Sequence, residues 1–186
     1  LAQRVGPDSH RLLQETRKLA AYAGDRPSIT PQDVTEMVTA PPDDNIFRLL
    51  DLTMQGDRRA ALDQLRQLRE SGTAVPQVMS LLRRSIRQAV QARLLLDRRI
   101  PYGAEREAVP EEVLALLPED NLYRATKEWQ RRRIWEQARR LSWPHLHHAL
   151  DRLAVAEAGM KGWEHGVQDP DLALELFVIS LCEARM

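Results

Sequence analysis

Residues 45–52 read Asn-Ile-Phe-Arg-Leu-Leu-Asp-Leu, and this stretch decides the fold. Its apolar side chains recur at the spacing of an α-helix, which predicts a helix with one apolar face. Gly56 and Asp57 interrupt the pattern, and a second apolar helical run then continues to Leu68 and ends before Gly72. Two such runs separated by a glycine and an aspartate predict a pair of helices joined by a tight turn.

The rest of the chain carries further helix signals, and no segment has the alternating apolar pattern of a β-strand. The clearest signal is at residues 30–33, where Thr30 is a capping residue, Pro31 suits the first helical position and Asp33 completes a capping box. Other helix starts are predicted at Asp8 or Ser9, Pro76, Pro110, Ser142 and Pro170, and a loop is predicted over residues 159–168. The predicted fold class is therefore all-α.

The sequence Pro41-Pro42-Asp43-Asp44 predicts a break between two helical units, because proline interrupts helices and the run is rich in turn-forming residues. We therefore predict a small helical subdomain over residues 1–40. A larger helical bundle is predicted over residues 41–186.

Composition excludes several classes of function. The net charge is zero, so no global positive field attracts nucleic acid. The single cysteine, Cys182, rules out an internal disulfide and fits a reducing cytoplasm, where we expect it to be a buried and inert thiol. No apolar run approaches the roughly 20 residues that a membrane-spanning helix needs. We therefore expect no membrane partner.

The sequence contains no recognisable catalytic, cofactor or metal site. A phosphate-binding loop of the Gly-x-x-x-x-Gly-Lys-Ser/Thr type is absent, and so is a serine, histidine and aspartate pattern typical of nucleophilic catalysis. His145, His147 and His148 lie on one predicted helix, but no Cys-x-x-Cys pair accompanies them. We therefore interpret these histidines as surface or partly buried side chains. No enzyme activity and no cofactor are expected.

Two stretches combine bases with tryptophan. Residues 124–140 contain seven arginine or lysine residues, two glutamates and two tryptophans, and a further tryptophan lies in the glycine-flanked stretch 161–166. Arginine and lysine attract phosphates, and a tryptophan ring can stack on an unpaired base. The alternative is a solvated helix with its tryptophans in the core, which we favour for Trp135. The predicted DNA-binding residues are Trp129, Arg131, Arg132, Lys161 and Trp163.

The order of these motifs resembles the delta subunit of the bacterial DNA polymerase III clamp loader. Four successive elements carry the resemblance: Leu12, Glu15 and Leu19; Ile29, Thr30 and Val34; the helix pair of residues 45–72; and Val78, Leu81, Arg83 and Arg87. The resemblance implies that residues 1–40 form most of the lid domain and that residues 41–186 form the collar. It also implies that a preceding domain, which contacts the sliding clamp, is absent from this sequence.

As a member of that family, the chain would be a cytoplasmic scaffold and not an enzyme, within an assembly that has DNA-directed DNA polymerase activity. The resemblance implies a ring of five collar domains, with gamma/tau-like motor subunits and a delta-prime-like subunit as partners. The sliding clamp would bind through the absent domain, and template single-stranded DNA is a further candidate partner. The apolar residues that we expect at the ring interface are Phe47, Leu50, Ile86, Val90 and Phe177.

Two other interpretations stay open at this stage. The chain could be the collar of an ATPase motor subunit of the same loader, in which case a phosphate loop and zinc-binding cysteines would precede it. It could also be an all-helical adaptor that is unrelated to replication.

Overall fold

The computed structural model describes residues 9–38, 42–126, 128–163 and 166–183. Within these ranges there are ten α-helices, one short 3₁₀ helix and no strand, so the all-α prediction is confirmed. None of the described helices is both long and apolar enough to cross a bilayer. In chain order the α-helices are α1 Ser9–Ala23, α2 Pro31–Met37, α3 Pro42–Met54, α4 Arg58–Glu70, α5 Val75–Asp97, α6 Glu111–Leu114, α7 Leu122–Ala125, α8 Glu128–Arg140, α9 Trp143–Met160 and α10 Pro170–Glu183, and the 3₁₀ helix Arg106–Ala108 lies between α5 and α6.

Helices α1 and α2 pack on each other around Leu19 and Val38. The capping box predicted at the start of α2 is confirmed. The Asp33 backbone N–H donates to the Thr30 hydroxyl at 3.2 Å, and the Asp33 carboxylate accepts the Thr30 backbone N–H at 2.8 Å. Arg26 adds a guanidinium 3.0 Å from the same carboxylate. These contacts fix the angle at which the chain enters α2.

The predicted helix pair is present as α3 and α4, and the Asp57 carboxylate caps α4 by accepting the Ala60 N–H at 3.0 Å. One boundary prediction needs correction, because Pro42 begins α3 and does not belong to a linker. Proline is tolerated in the first turn of a helix, where its missing N–H costs no hydrogen bond. Residues 39–41, where the break was also predicted, lie outside the described residues.

Helix α5 contributes side chains to two separate apolar clusters. Its N-terminal half, with Leu82 and Ile86, packs in a first cluster with α3, α4, α9 and α10. Its C-terminal half, with Ala92 and Leu95, packs in a second cluster with α6, α7 and α8. Trp135 of α8 is fully buried in this second cluster, so the interpretation of Trp135 as a core residue is confirmed.

Two buried glutamines connect the elements around α5. The Gln91 side-chain oxygen accepts the Leu122 N–H at 2.9 Å and thereby holds α7, a helix that the sequence did not predict. The Gln137 side-chain amide donates to the Phe47 carbonyl at 3.1 Å and to the Asp51 carboxylate at 2.8 Å. These bonds satisfy buried polar groups and join α8 to α3.

Helix α9 runs antiparallel to α5. At its start the Trp143 indole N–H donates to Asp97, the last residue of α5, at 2.7 Å. Farther along α9, Glu157 forms an ion pair at 3.2 Å with Arg83. Arg83 lies nearer the start of α5 than Asp97 does. Helix α10 then packs against α9, α4 and α3.

The predicted loop over residues 159–168 starts too early, because α9 continues to Met160. Gly159 lies inside the helix and touches the backbone of the chain that leads into α10. A β-carbon at Gly159 would lie 2.6 Å from the Val167 carbonyl oxygen, closer than real β-carbons approach. Glycine is therefore required here by close backbone packing, which a sequence pattern does not distinguish from a helix end.

We predict that Gly159→Ala lowers the free energy of unfolding by about 1–2 kcal/mol. The clash is with backbone atoms, which puts the overpacking cost in the upper part of its usual range, about 2–3 kcal/mol, and alanine returns about 1 kcal/mol of helix propensity. Urea unfolding followed by circular dichroism measures the change. Gly103→Ala is the matched control, because a β-carbon there meets nothing within 4 Å and the control should change stability by less than about 0.5 kcal/mol. Equal stability of the two variants would contradict the packing argument.

A second prediction concerns the pH dependence of the α1–α2 pair. The backbone N–H of Thr30 is the main reason that the pKa of Asp33 lies below its usual value, and Arg26 acts in the same direction, whereas burial opposes both. Because the folded pKa is depressed, the stabilisation is complete above the unfolded pKa of about 4 and is lost as pH falls through the folded pKa. An NMR titration should therefore find a depressed pKa for Asp33, and an ordinary aspartate pKa would refute the capping-box account.

Candidate nucleic-acid contact and interaction surface

The end of α9 has the hydrogen bonds of a Schellman motif. Gly162 adopts a φ of 73°, a left-handed conformation that favours glycine. The Gly162 N–H donates to the Gly159 carbonyl at 2.8 Å, and the Trp163 N–H donates to the Ala158 carbonyl at 3.0 Å. The backbone of Trp163 is therefore fixed to the helix end and is not part of a loose loop.

The side chain of Trp163 is 65% exposed despite this fixed backbone. In a Schellman motif the residue after the glycine commonly packs back onto the helix, and here most of the ring is open to solvent. The Lys161 ammonium lies 5.6 Å from the centroid of the indole ring, within the range of a cation–π contact. A tryptophan beside a lysine can stack on an unpaired base while the lysine meets a phosphate.

The arginines predicted to bind DNA on α8 are already partly engaged within the chain. One guanidinium nitrogen of Arg131 donates to the Thr126 carbonyl at 3.3 Å. Its Nε is buried without a hydrogen-bond partner in the described part of the chain, as is the neighbouring Tyr123 hydroxyl. Burial raises the pKa of Tyr123, and the positive charge of Arg131 opposes that rise. Tyr123 was not singled out from the sequence.

Arg132 is exposed and forms an ion pair with Glu136, one turn later on α8, at 3.2 Å. The side chain of Trp129 lies outside the described part of the structure. Helix α8 packs on the C-terminal half of α5. Trp163 follows the end of α9, past the point where Glu157 of α9 pairs with Arg83 in the N-terminal half of α5. The structure thus places the two halves of the predicted DNA-binding set on different parts of the fold.

The five residues predicted at a subunit interface are not exposed apolar side chains. Phe47, Ile86 and Phe177 are at most 3% exposed and belong to the two core clusters. Leu50 and Val90 are partly buried, and Leu50 lines a small apolar cavity of about 50 Å³ beside Ile86. Their side chains therefore pack mainly inside this chain.

Helix α10 carries an exposed apolar row that the sequence analysis did not separate from its buried row. Leu172 and Leu176 are exposed and Ile179 is partly exposed, at spacings of four and three residues that place them on one face. The opposite side of α10 faces the core, and its residues Leu174, Phe177 and Val178 are buried. A helix that is apolar on both sides is typical of one covered on both sides.

A groove lies between α9 and α10 next to this apolar row. It has a volume of about 200 Å³, and Val155 of α9 and Leu176 of α10 both line it. Its remaining lining residues are Arg152, Ala156, Val167, Ala173, Phe177 and Ser180. The groove meets the apolar row of α10 at Leu176, which belongs to both.

The histidines on α9 make ordinary side-chain hydrogen bonds. His145 Nδ1 lies 2.6 Å from the Ser142 hydroxyl, and His148 Nε2 donates to the Ser180 carbonyl at 3.0 Å. Among the described residues, which exclude His165, no three metal-ligating side chains come together. Cys182 is a buried free thiol as expected, and burial raises its pKa.

Comparison with known proteins supports the family resemblance that the order of motifs indicated. No family model matches the chain. The chain is 27% identical over 170 residues to DNA polymerase III subunit delta of Bacillus subtilis (strain 168), an alignment that covers 91% of this chain and 44% of that protein. The resemblance to the delta subunit is confirmed.

The fold agrees as well. The solved structure of the Bacillus subtilis DNA clamp loader delta protein (YqeN) superimposes on this chain with a TM-score of 0.74 at 23% identity. The superposition covers 98% of this chain and 48% of that structure, so this chain spans about half the length of the delta proteins it matches. The fold of this chain is therefore similar to that of a clamp loader delta protein.

Proposed function

We propose that this chain is the lid and collar part of a clamp-loader delta subunit and that it acts as a scaffold. The single observation that carries the proposal is the similarity to a delta subunit along 91% of the chain. Residues 1–40 would be part of the lid, and residues 41–186 the collar that packs into a ring of five subunits. The clamp-opening domain would lie in the part of the protein that this chain does not span.

The proposed mechanism is positional. Helix packing holds the collar in the ring, next to gamma/tau-like motor subunits and a delta-prime-like subunit. The lid connects that ring to the domain that contacts the sliding clamp. In this account ATP hydrolysis by the partner subunits moves the delta arm, and this chain performs no chemistry. The assembly would be cytoplasmic and would serve DNA-directed DNA polymerase activity.

The structure supports a ring contact through α10 more directly than through the five residues first expected there. Phe47, Ile86 and Phe177 are buried, so their contribution would be to hold the shape of the surface. Leu172 and Leu176 are exposed and apolar, as a residue at a subunit contact is before assembly. Leu50 and Val90, which are partly buried, stay candidates at the edge of such a contact.

A second candidate activity is contact with single-stranded DNA, and the exposed Trp163 beside Lys161 is the observation that favours it. Its backbone is held by the Schellman motif, so little ordering of the chain would accompany stacking. Arg131, Arg132 and Trp129 on α8 would form a separate contact, because they lie on a different part of the fold.

The scaffold proposal predicts that the full-length protein co-elutes with purified motor subunits of the clamp loader in gel filtration. A protein with this role binds those subunits without hydrolysing ATP itself. ATPase activity of the purified full-length protein would favour a motor subunit instead. Failure to bind any loader subunit would favour an unrelated helical adaptor.

The DNA proposal predicts that Trp163→Ala in the assembled loader weakens binding of a labelled single-stranded oligonucleotide by about 5- to 150-fold, the equivalent of the ~1–3 kcal/mol that base stacking contributes. Fluorescence anisotropy measures the affinity. Tyr102→Ala removes an exposed aromatic residue elsewhere on the chain and is the control, for which no change is expected. Equal affinities for both variants would contradict a role for Trp163.

A further inference from the structure

A small cavity lies inside the bundle, where α3, α5, α8, α9 and α10 meet. Its volume is about 50 Å³, and its lining residues include Ile86 of α5, Leu146 of α9 and Leu181 of α10. This volume exceeds the ~10–15 Å³ that one water molecule needs, and it is about one third of the ~150 Å³ of an apolar cavity that binds benzene or xenon. The cavity is therefore large enough for a guest smaller than benzene.

The polar side chains that line the cavity already make hydrogen bonds to other parts of the chain. The Thr53 hydroxyl donates to a backbone carbonyl within α3 at 2.8 Å. The Gln137 amide nitrogen donates to two acceptors on α3, at 3.1 and 2.8 Å. His145 Nδ1 lies 2.6 Å from the Ser142 hydroxyl. A buried water needs about two to four polar partners, so this site suits an apolar guest better than it suits water.

The cavity reaches the surface along one edge. Ile86 and Leu146 are buried, whereas Met54, Leu141 and Leu181 line the same cavity and are partly exposed. A methionine side chain has several rotatable bonds and adapts its shape to its neighbours. A small molecule can therefore enter beside Met54 without unfolding of the bundle.

We propose that this cavity is a binding site for compact, uncharged apolar molecules smaller than benzene, such as xenon or a short hydrocarbon. Among the described residues that line it there is no aspartate, glutamate, lysine or arginine, so an ionic ligand would lose its hydration without gaining a partner of opposite charge. The guest contacts five helices at once and binds the folded protein only, and it therefore stabilises the bundle. The inference is independent of the proposed function, because it rests on the cavity alone.

The test titrates xenon into the full-length protein with isotope-labelled isoleucine and leucine methyl groups, which are followed by NMR. The methyl signals of Ile86 and Leu146 should shift and reach a plateau as the xenon pressure rises. Leu116 is exposed and does not line the cavity, so its methyl signals should show no saturable shift.

A variant that fills the cavity tests the location of the site. Ala149 lines the cavity, and Ala149→Leu should weaken xenon binding at least about tenfold, because the larger side chain occupies the space of the guest. Ala154→Leu places the same side chain on the exposed side of α9 and is the matched control, with an affinity equal to that of the wild type. If Ala149→Leu does not fold, Ala89→Val fills the cavity from α5 and should also weaken binding.

Urea unfolding under xenon provides a second readout. Xenon should raise the urea midpoint of the wild type and of Ala154→Leu, and it should leave the midpoint of Ala149→Leu unchanged.

The outcomes decide the inference as follows. Saturable shifts at Ile86 and Leu146 that Ala149→Leu removes and Ala154→Leu keeps would establish the site. Shifts that increase linearly at all methyl groups, or that Ala149→Leu keeps, would overturn it. A long-lived water detected by nuclear Overhauser effects to the Leu146 methyl groups would overturn it as well, because the cavity would then be a hydration site.

Discussion

The structure from α3 onward depends on one helix, α5, that packs in two apolar clusters at once. Leu82 and Ile86 belong to the cluster with α9 and α10, and Ala92 and Leu95 belong to the cluster with α8. Both clusters share one rigid helix. A substitution that shifts α5 in one cluster therefore also disturbs the packing of the other cluster. The hydrogen bonds of Gln91 and Gln137 connect the same elements through buried polar side chains.

This arrangement leaves the outside of α10 as the surface through which the proposed scaffold would make its contacts. The inner side of α10 is buried in the first cluster through Leu174, Phe177 and Val178. Its outer side keeps Leu172 and Leu176 in solvent, which is unfavourable for an isolated chain and favourable for one that joins an assembly. A scaffold needs this kind of surface, and it needs no catalytic group.

Local signals in the sequence predicted much of the fold, whereas burial depended on contacts that the sequence pattern does not contain. Thr30 and Asp57 begin helices through bonds within three residues, so those starts were predictable. Helix α7 depends on Gln91, 31 residues away, and was missed. Phe47 and Phe177 were expected at an interface because periodicity identifies an apolar face but not what covers it. The close approach at Gly159 was not predicted either, because a glycine required by backbone packing looks the same in sequence as one that ends a helix.

The central claim is that the outer face of α10 becomes covered when the full-length protein joins its loader partners. Carbene footprinting with mass spectrometry, on the protein alone and in the assembled loader, measures this most directly. The account predicts that labelling of Leu172 and Leu176 falls strongly on assembly while labelling of Leu116 stays constant. Unchanged labelling of Leu172 and Leu176 in a fully assembled loader would contradict it.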